Sequence, residues 1–282
     1  MQHIEFFHID HFENNYHRVK PNAALSAFID FFWQTKFDVL LKEYPEGFSD
    51  ALFPNIGYTY LINLGTPFTM QVADKYFEMK SDGFLPRNNA IECYHQQGNC
   101  LFGIKFKIAP ILFEKKINFA EYKGYIYPLS YLMEPGIIQQ AKKAADFDER
   151  IKILSTYFES LLHKHAASLK PVNIVTAILD ECFQKNEFAV SLEELAFRYS
   201  ISTRTLHRYF ETFTSLSCKQ VLQIMRIRKA THHLSVDPQS FHFSQYGYYD
   251  HSHFYKHLKQ FLHKDTLANV QPYLSLLASL HK

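Results

Sequence analysis

The hydrophobic pattern of this chain changes its period at Pro135-Gly136, and the change requires two kinds of architecture in one polypeptide. Upstream, the runs Phe28–Val39, Ile56–Leu64, Pro67–Ala73, Lys75–Ser81, Gly83–His95 and Cys100–Ile108 are rich in Tyr, Phe, Ile and Thr. Turn residues separate them, as in an antiparallel sheet or barrel. Within the second run Tyr58, Tyr60, Ile62 and Leu64 alternate onto one apolar face. Gly65-Thr66-Pro67, Ala73-Asp74-Lys75 and Gln97-Gly98-Asn99 stand where hairpins need residues tolerant of positive φ. Downstream the spacing is helical. Ile137–Ala145 and Asp148–His165 form two segments, the second with Ile151, Leu154, Phe158, Leu161 and Leu162 on one stripe and Asp148 placed to cap it. From Val172 onward no segment reads as a strand.

At 282 residues the chain suits two domains. The expected division is residues 1–135 as a β-rich unit for effector binding or dimerisation, 136–170 as a helical linker, and 171–282 as an all-α unit, with Lys170-Pro171 marking the second boundary. Hydrophobic residues at 47% and aromatics at 16% are enough for two cores. No run of roughly 18 uncharged apolar residues occurs, and the first residues lack a signal-peptide pattern, so a cytoplasmic protein without a membrane partner is expected. Cys93, Cys100, Cys182 and Cys218 form no CxxC pair and read as free thiols. The formal charge of +2 is uneven: from Pro171 onward 12 Lys and Arg stand against 9 Asp and Glu. That excess is consistent with a polyanionic partner but too small to require one.

The segment Ser191–Phe213 reads as a short helix, a turn and a second helix. Ser191-Leu192-Glu193-Glu194 is a capping box for the first, and Ser202 caps the second. In a helix-turn-helix the second helix enters the major groove. Its outward residues here are Thr203, Arg204, Thr205, His207 and Arg208, a face suited to guanine acceptors and phosphates or to plain solvent. Lys219–Leu234 follows as a linker helix, with Val221, Leu222, Met225 and Ala230 inward and Arg226, Arg228 and Lys229 outward. Its roughly 16 residues span about 24 Å, which would set two reading helices about one DNA turn apart. Gln239–Leu262 then repeats the arrangement with a short helix, a Gly247 turn, an Asp250 cap and a helix whose apolar side is Phe254, Leu258 and Phe261.

Residues 172–266 resemble the DNA-binding domain of the AraC/XylS family of bacterial regulators. The resemblance is carried by Ser191-Leu192-Glu193-Glu194-Leu195-Ala196, Ile201-Ser202-x-Arg204-Thr205-Leu206-x-Arg208-x-Phe210, Arg226-x-x-Lys229-Ala230 and Gly247-Tyr248-Tyr249-Asp250-His251-Ser252-His253-Phe254. It implies a seven-helix domain binding double-stranded DNA. Arg204, His207 and Arg208 would read bases from the first unit, with Thr203 on phosphate, and His251, Ser252, Tyr255 and Lys256 would read from the second. The chain departs from the family where Ser215 and Cys218 replace Gly and Pro after the first reading helix, and His263 and Thr266 replace them after the second. His242-Phe243 also stands where an apolar-Ala pair is usual, so the second unit is expected to pack differently or to contact backbone more than bases.

The N-terminal part resembles the β-rich sensing domains attached to such modules, at Phe32-Trp33, Asp50-x-x-Phe53-x-Asn55 and Phe102-Gly103-Ile104-Lys105-Phe106. The implied fold class is α+β in two domains, an N-terminal antiparallel β barrel or sandwich of cupin-like type with helices and a C-terminal all-α double helix-turn-helix. A small-molecule effector and a homodimer, the latter through the stripe of Ile137–His165, are the further partners this implies. The aromatic content suits a ligand pocket and a plain core alike. His3, His8, His11, His17 and His95 show no metal-ligand spacing, and His251 and His253 diverge by about 200° on a helix, so no metal and no cofactor is expected. No phosphate loop, nucleophile elbow or carboxylate pair points to catalysis. The alternative to a sequence-reading regulator is a divergent helix-turn-helix protein that acts through protein contacts.

Overall fold

The computed structural model describes residues 15–109, 124–165 and 169–260. His3, His8, His11, Phe261, His263 and Thr266 lie outside the described residues. Among the described residues the β-rich part has ten strands: β1 (Tyr16–Val19), β2 (Ile29–Lys36), β3 (Phe48–Leu52), β4 (Tyr58–Asn63), β5 (Phe68–Val72), β6 (Lys75–Met79), β7 (Gly83–Pro86), β8 (Ile91–His95), β9 (Cys100–Phe106) and β10 (Tyr127–Pro128). Helix α1 (Asp38–Glu43) lies between β2 and β3. The helical part comprises α2 (Pro135–Lys143), α3 (Phe147–Lys164), α4 (Lys170–Lys185), α5 (Leu192–Arg198), α6 (Thr203–Thr214), α7 (Cys218–Val236) and α8 (His251–Leu258).

The strands form two antiparallel sheets, one six-stranded in the order β1-β2-β9-β4-β7-β10 and one four-stranded in the order β3-β8-β5-β6. They are separately paired, so the sandwich alternative describes them and a closed cupin-like barrel does not. The single run Gly83–His95 divides into β7 and β8, which belong to different sheets, because Arg87 to Ala90 leave the ladder between them.

All six residues of β4 are buried, which strict alternation does not predict. The larger sheet is covered on both faces. Tyr58, Tyr60 and Ile62 join a core shared with the helices, while Leu61 faces the smaller sheet in a core with Phe68, Met70, Leu85 and Leu101. Phe158 of α3 anchors the shared core, packing 5.6 Å from Phe106 and 6.4 Å from Tyr60 between ring centroids. Of the stripe, Leu154, Phe158, Leu161 and Leu162 are buried within their own chain and Ile151 is half-buried. Asp146, rather than Asp148, caps α3 by accepting from the Glu149 amide at 2.8 Å.

Between the sheets lies a cavity of about 50 Å³, partly open to solvent. Trp33 occupies one wall because Gly103 stands opposite it on β9. A Cβ at Gly103 would lie 2.1–2.3 Å from atoms of the indole ring.

Candidate nucleic-acid interface

The first helix-turn-helix is built as its capping residues dictate. Ser191 accepts from the Glu194 amide at 3.0 Å to start α5, and Ser202 accepts from the Thr205 amide at 3.2 Å to start α6. Each cap satisfies one amide that the helix cannot. Leu195, Ala196, Leu206 and Phe210 bury the facing sides of the two helices. Thr203 is half-buried at the first position of α6, and Arg204, His207 and Arg208 are exposed. His207 lies 3.3 Å from Glu211 one turn on, and the Arg208 guanidinium lies 5.6 Å from the Tyr209 ring. Among the described residues neither Arg204 nor Arg208 meets a carboxylate.

The other basic residues of the region are differently placed. Arg198 is held by Glu181, Glu187 and Glu194, in a cluster that stitches α5 to α4. On α7, which begins one residue earlier and ends two later than its pattern suggests, the three cations expected outside turn to internal carbonyls. Arg226 donates to the Gly247 carbonyl and lies 3.7 Å over the Tyr248 ring. Lys229 donates to the Phe183 carbonyl. Arg228 is 4% exposed and donates to the carbonyls of Phe53 at 3.0 Å and Pro54 at 2.8 Å, across to the β-rich part. Burial, reinforced by Arg87, pushes the Arg228 guanidinium down to about 9, which leaves it charged at neutral pH. Helical spacing placed all three away from the apolar stripe, but it could not show that neighbouring backbone would cover that side.

The second unit is reduced. Its supporting helix is a single 3₁₀ turn, Phe243–Tyr246, closed by Gly247 at φ 68°. Phe243 packs against Phe241 and Phe254, occupying the volume an Ala-bearing helix would leave open. Asp250 caps α8 by accepting from the His253 amide at 2.8 Å. Of the residues expected to read bases, Ser252 and Lys256 are exposed, but His251 and Tyr255 are half-buried with their rings stacked at 5.9 Å. His253 and Tyr249 take the open positions instead, Tyr249 at 95% exposure just before the helix. His257 points back to the Tyr248 hydroxyl at 2.6 Å, and burial, with Arg226 and His253 nearby, pulls its pKa down to about 4.

Seen as a whole chain, the arrangement has counterparts among solved structures. The chain is similar to ToxT of Vibrio cholerae. A ligand-free ToxT variant from strain SCE256 aligns at 10% identity over 82% of this chain and 94% of its own, with a TM-score of 0.43. A second ToxT structure, from strain O395, aligns at 11% identity over 90% and 96%, also at 0.43. The AraC-like transcriptional activator CuxR aligns at 8% identity over 79% and 89%, with a TM-score of 0.30. No family model and no curated protein matches the sequence.

The remaining candidates resolve into structural roles. His95 lies 3.7 Å from Asp50 and 2.6 Å from Asn99, with Phe37 stacked on its ring. Among the described residues no group of three or more His, Cys, Asp or Glu side chains could hold a metal. Cys93, Cys182 and Cys218 are buried and outside any disulfide, and burial raises Cys182 to about 11 and Cys218 to about 12. Among the described residues no helix is long and apolar enough to cross a membrane.

Proposed function

We propose that this chain is a transcriptional regulator that binds double-stranded DNA through α6 and answers to a small ligand held in its β-rich part. The observation that carries the reading is the contrast between cations. Arg198, Arg226, Arg228 and Lys229 all bind groups of their own chain, whereas Arg204 and Arg208 remain exposed on the first two turns of a capped helix. A guanidinium with no internal carboxylate is available to guanine or phosphate, and the N-terminal part of a reading helix is where base contacts are made. The units proposed are residues 1–135 for ligand binding, 136–170 as linker and 171–282 for DNA, with Thr203 on phosphate and His207 beside the two arginines. Ser252 and Lys256 on α8 supply backbone contacts, with His251 and Tyr255 held back by their stacking.

Selection of bound duplexes from a random pool followed by competition binding tests this directly. Arg204→Ala and Arg208→Ala are each expected to cost about 1–3 kcal/mol for the selected site and to relax preference at one base position. Retained preference in the double variant would refute the assignment of α6. The reduced second unit favours one alternative, a helix-turn-helix protein acting through protein contacts. Binding without sequence preference at moderate salt would support that alternative.

A further inference from the structure

The N-terminal corner of α8 carries two side chains whose outward groups the fold does not use. Tyr249 stands just before the Asp250 cap at 95% exposure, and its ring meets no other ring or cation among the described residues. His253, exposed at the third position of the helix, is held from two sides. Its ring stands edge-on to Tyr248 at 5.3 Å between centroids, and its Nδ1 accepts from the Tyr249 amide at 3.3 Å. Tyr248 is in turn 2% exposed, with the Arg226 guanidinium of α7 lying 3.7 Å over its ring and His257 at its hydroxyl. The direction of the His253 ring is therefore set before anything binds, which spares a partner the cost of ordering it.

The bond from the Tyr249 amide also fixes the tautomer. A ring whose Nδ1 accepts carries its proton on Nε2 when neutral, and that Nε2 has no partner among the described residues. His253 thus offers one outward donor and no outward acceptor. Residues at the N-terminal end of a reading helix reach base edges in the major groove. Adenine and guanine both present N7 there as an acceptor, and thymine alone presents a methyl group. A single outward N–H matches the first, and an unpacked aromatic ring matches the second. The neighbouring rings are not available for this, because His251 is stacked on Tyr255 and lies edge-on to Phe243, each at 5.9 Å.

We propose that Tyr249 and His253 are the specificity-determining residues of the second unit, and that they read a purine beside a thymine in the major groove. His253 Nε2–H donates to the purine N7, and the Tyr249 ring packs on the thymine methyl. Ser252 and Lys256, the other exposed residues of the first turns of α8, keep the phosphate contacts. The second half-site then accepts adenine or guanine at one position and requires thymine at the next, about one DNA turn from the half-site of α6. This rests on the reading of the chain as a duplex-binding regulator and deepens it by naming the base chemistry of α8.

The test changes single groups on the DNA. The full chain is titrated with its selected duplex and with two altered duplexes, one carrying 7-deazapurine at the purine and one carrying deoxyuridine for the thymine. Loss of N7 should weaken binding about three- to tenfold, the range of one net hydrogen bond, and loss of the methyl about fourfold. Tyr249→Ala should bind the thymine and deoxyuridine duplexes equally while still discriminating against 7-deazapurine, and Tyr249→Phe should keep both preferences. His253→Ala should lose the 7-deazapurine effect alone. That variant also loses the ring contact with Tyr248, so the 7-deazapurine arm on the parent protein, which leaves the protein untouched, tests the donor by itself. Full affinity of the parent for both altered duplexes, or penalties that persist unchanged in the matching variants, would overturn the assignment. A pool that returns the half-site of α6 with no preference one turn away would overturn it too and leave α6 standing. A pool that returns no preference at either half-site would instead overturn the duplex-reading function on which the assignment rests.

Discussion

Ser215 closes α6 in the left-handed region at φ 58°, is 4% exposed, and places its Oγ 2.6 Å from the Tyr58 hydroxyl on β4. A residue with a Cβ in that conformation costs about 1–2 kcal/mol relative to glycine. Burial raises the Tyr58 phenol above its ordinary range, so its proton is present at neutral pH. The bond is worth about 0.5–1.5 kcal/mol. Ser215→Ala keeps the backbone cost and loses the bond, which predicts a loss of about 1 kcal/mol and about 2–4 °C in Tm. Ser215→Gly loses the same bond but removes the left-handed cost, offset by about 0.4–1 kcal/mol of added freedom in the unfolded chain. It is expected to match the parent protein within about 0.5 kcal/mol. Tyr58→Phe should cost about as much as Ser215→Ala, and urea unfolding of the two single variants and the double variant should return a coupling of about 1 kcal/mol. A coupling near zero, or a glycine variant less stable than the alanine one, would refute the reasoning.

Two further outcomes follow from the same geometry. His257 has its pKa pulled down to about 4 by burial, Arg226 and His253, so the unfolded chain binds its proton first as pH falls. Its contribution is complete above about 6.5 and is lost between there and about 4, and His257→Gln should flatten that part of a stability profile followed by urea titration. Gly103→Ala drives a methyl into the Trp33 ring, and a shift of the tryptophan emission with a loss of about 1–3 kcal/mol or more is expected from a Cβ only 2.1 Å from a ring atom. An unchanged emission spectrum would place Trp33 elsewhere.

The parts of the fold that rest on local chemistry were legible. Ser191, Ser202 and Asp250 cap the helices that their side chains and spacing indicate, because a cap is a bond between residues three apart. The positions of β2, β4, β5, β6 and β9 followed from composition and turn residues for the same reason, whereas β1 and β10 did not. Non-local features were not legible. Strand β3 and the split of β7 from β8 depend on which sheet each segment joins. The burial of β4 on both faces depends on helices about a hundred residues away. The sequence places Arg228 on the side of α7 away from its apolar stripe, and only the tertiary fold shows that Phe53 and Pro54 cover that side.

The departures from the family pattern acquire meaning through that non-local structure. A glycine after α6 would relieve the left-handed turn, but serine there provides a hydroxyl to Tyr58, while the neighbouring Phe213 carbonyl accepts from the Ala109 amide at 2.5 Å. The C-terminal end of α6 is therefore held by the β-rich part, and its N-terminal end, with Arg204 and Arg208, is open. Arg228 holds α7 in the same way. Both helices that set the position of the exposed arginines are tied to β4 or to the segment leading into it, with Tyr58 and Gly57 adjacent in sequence. A displacement of that segment moves the supports of α6 and α7 together. The second unit, whose supporting turn packs on its own aromatic residues, has no such tie among the described residues.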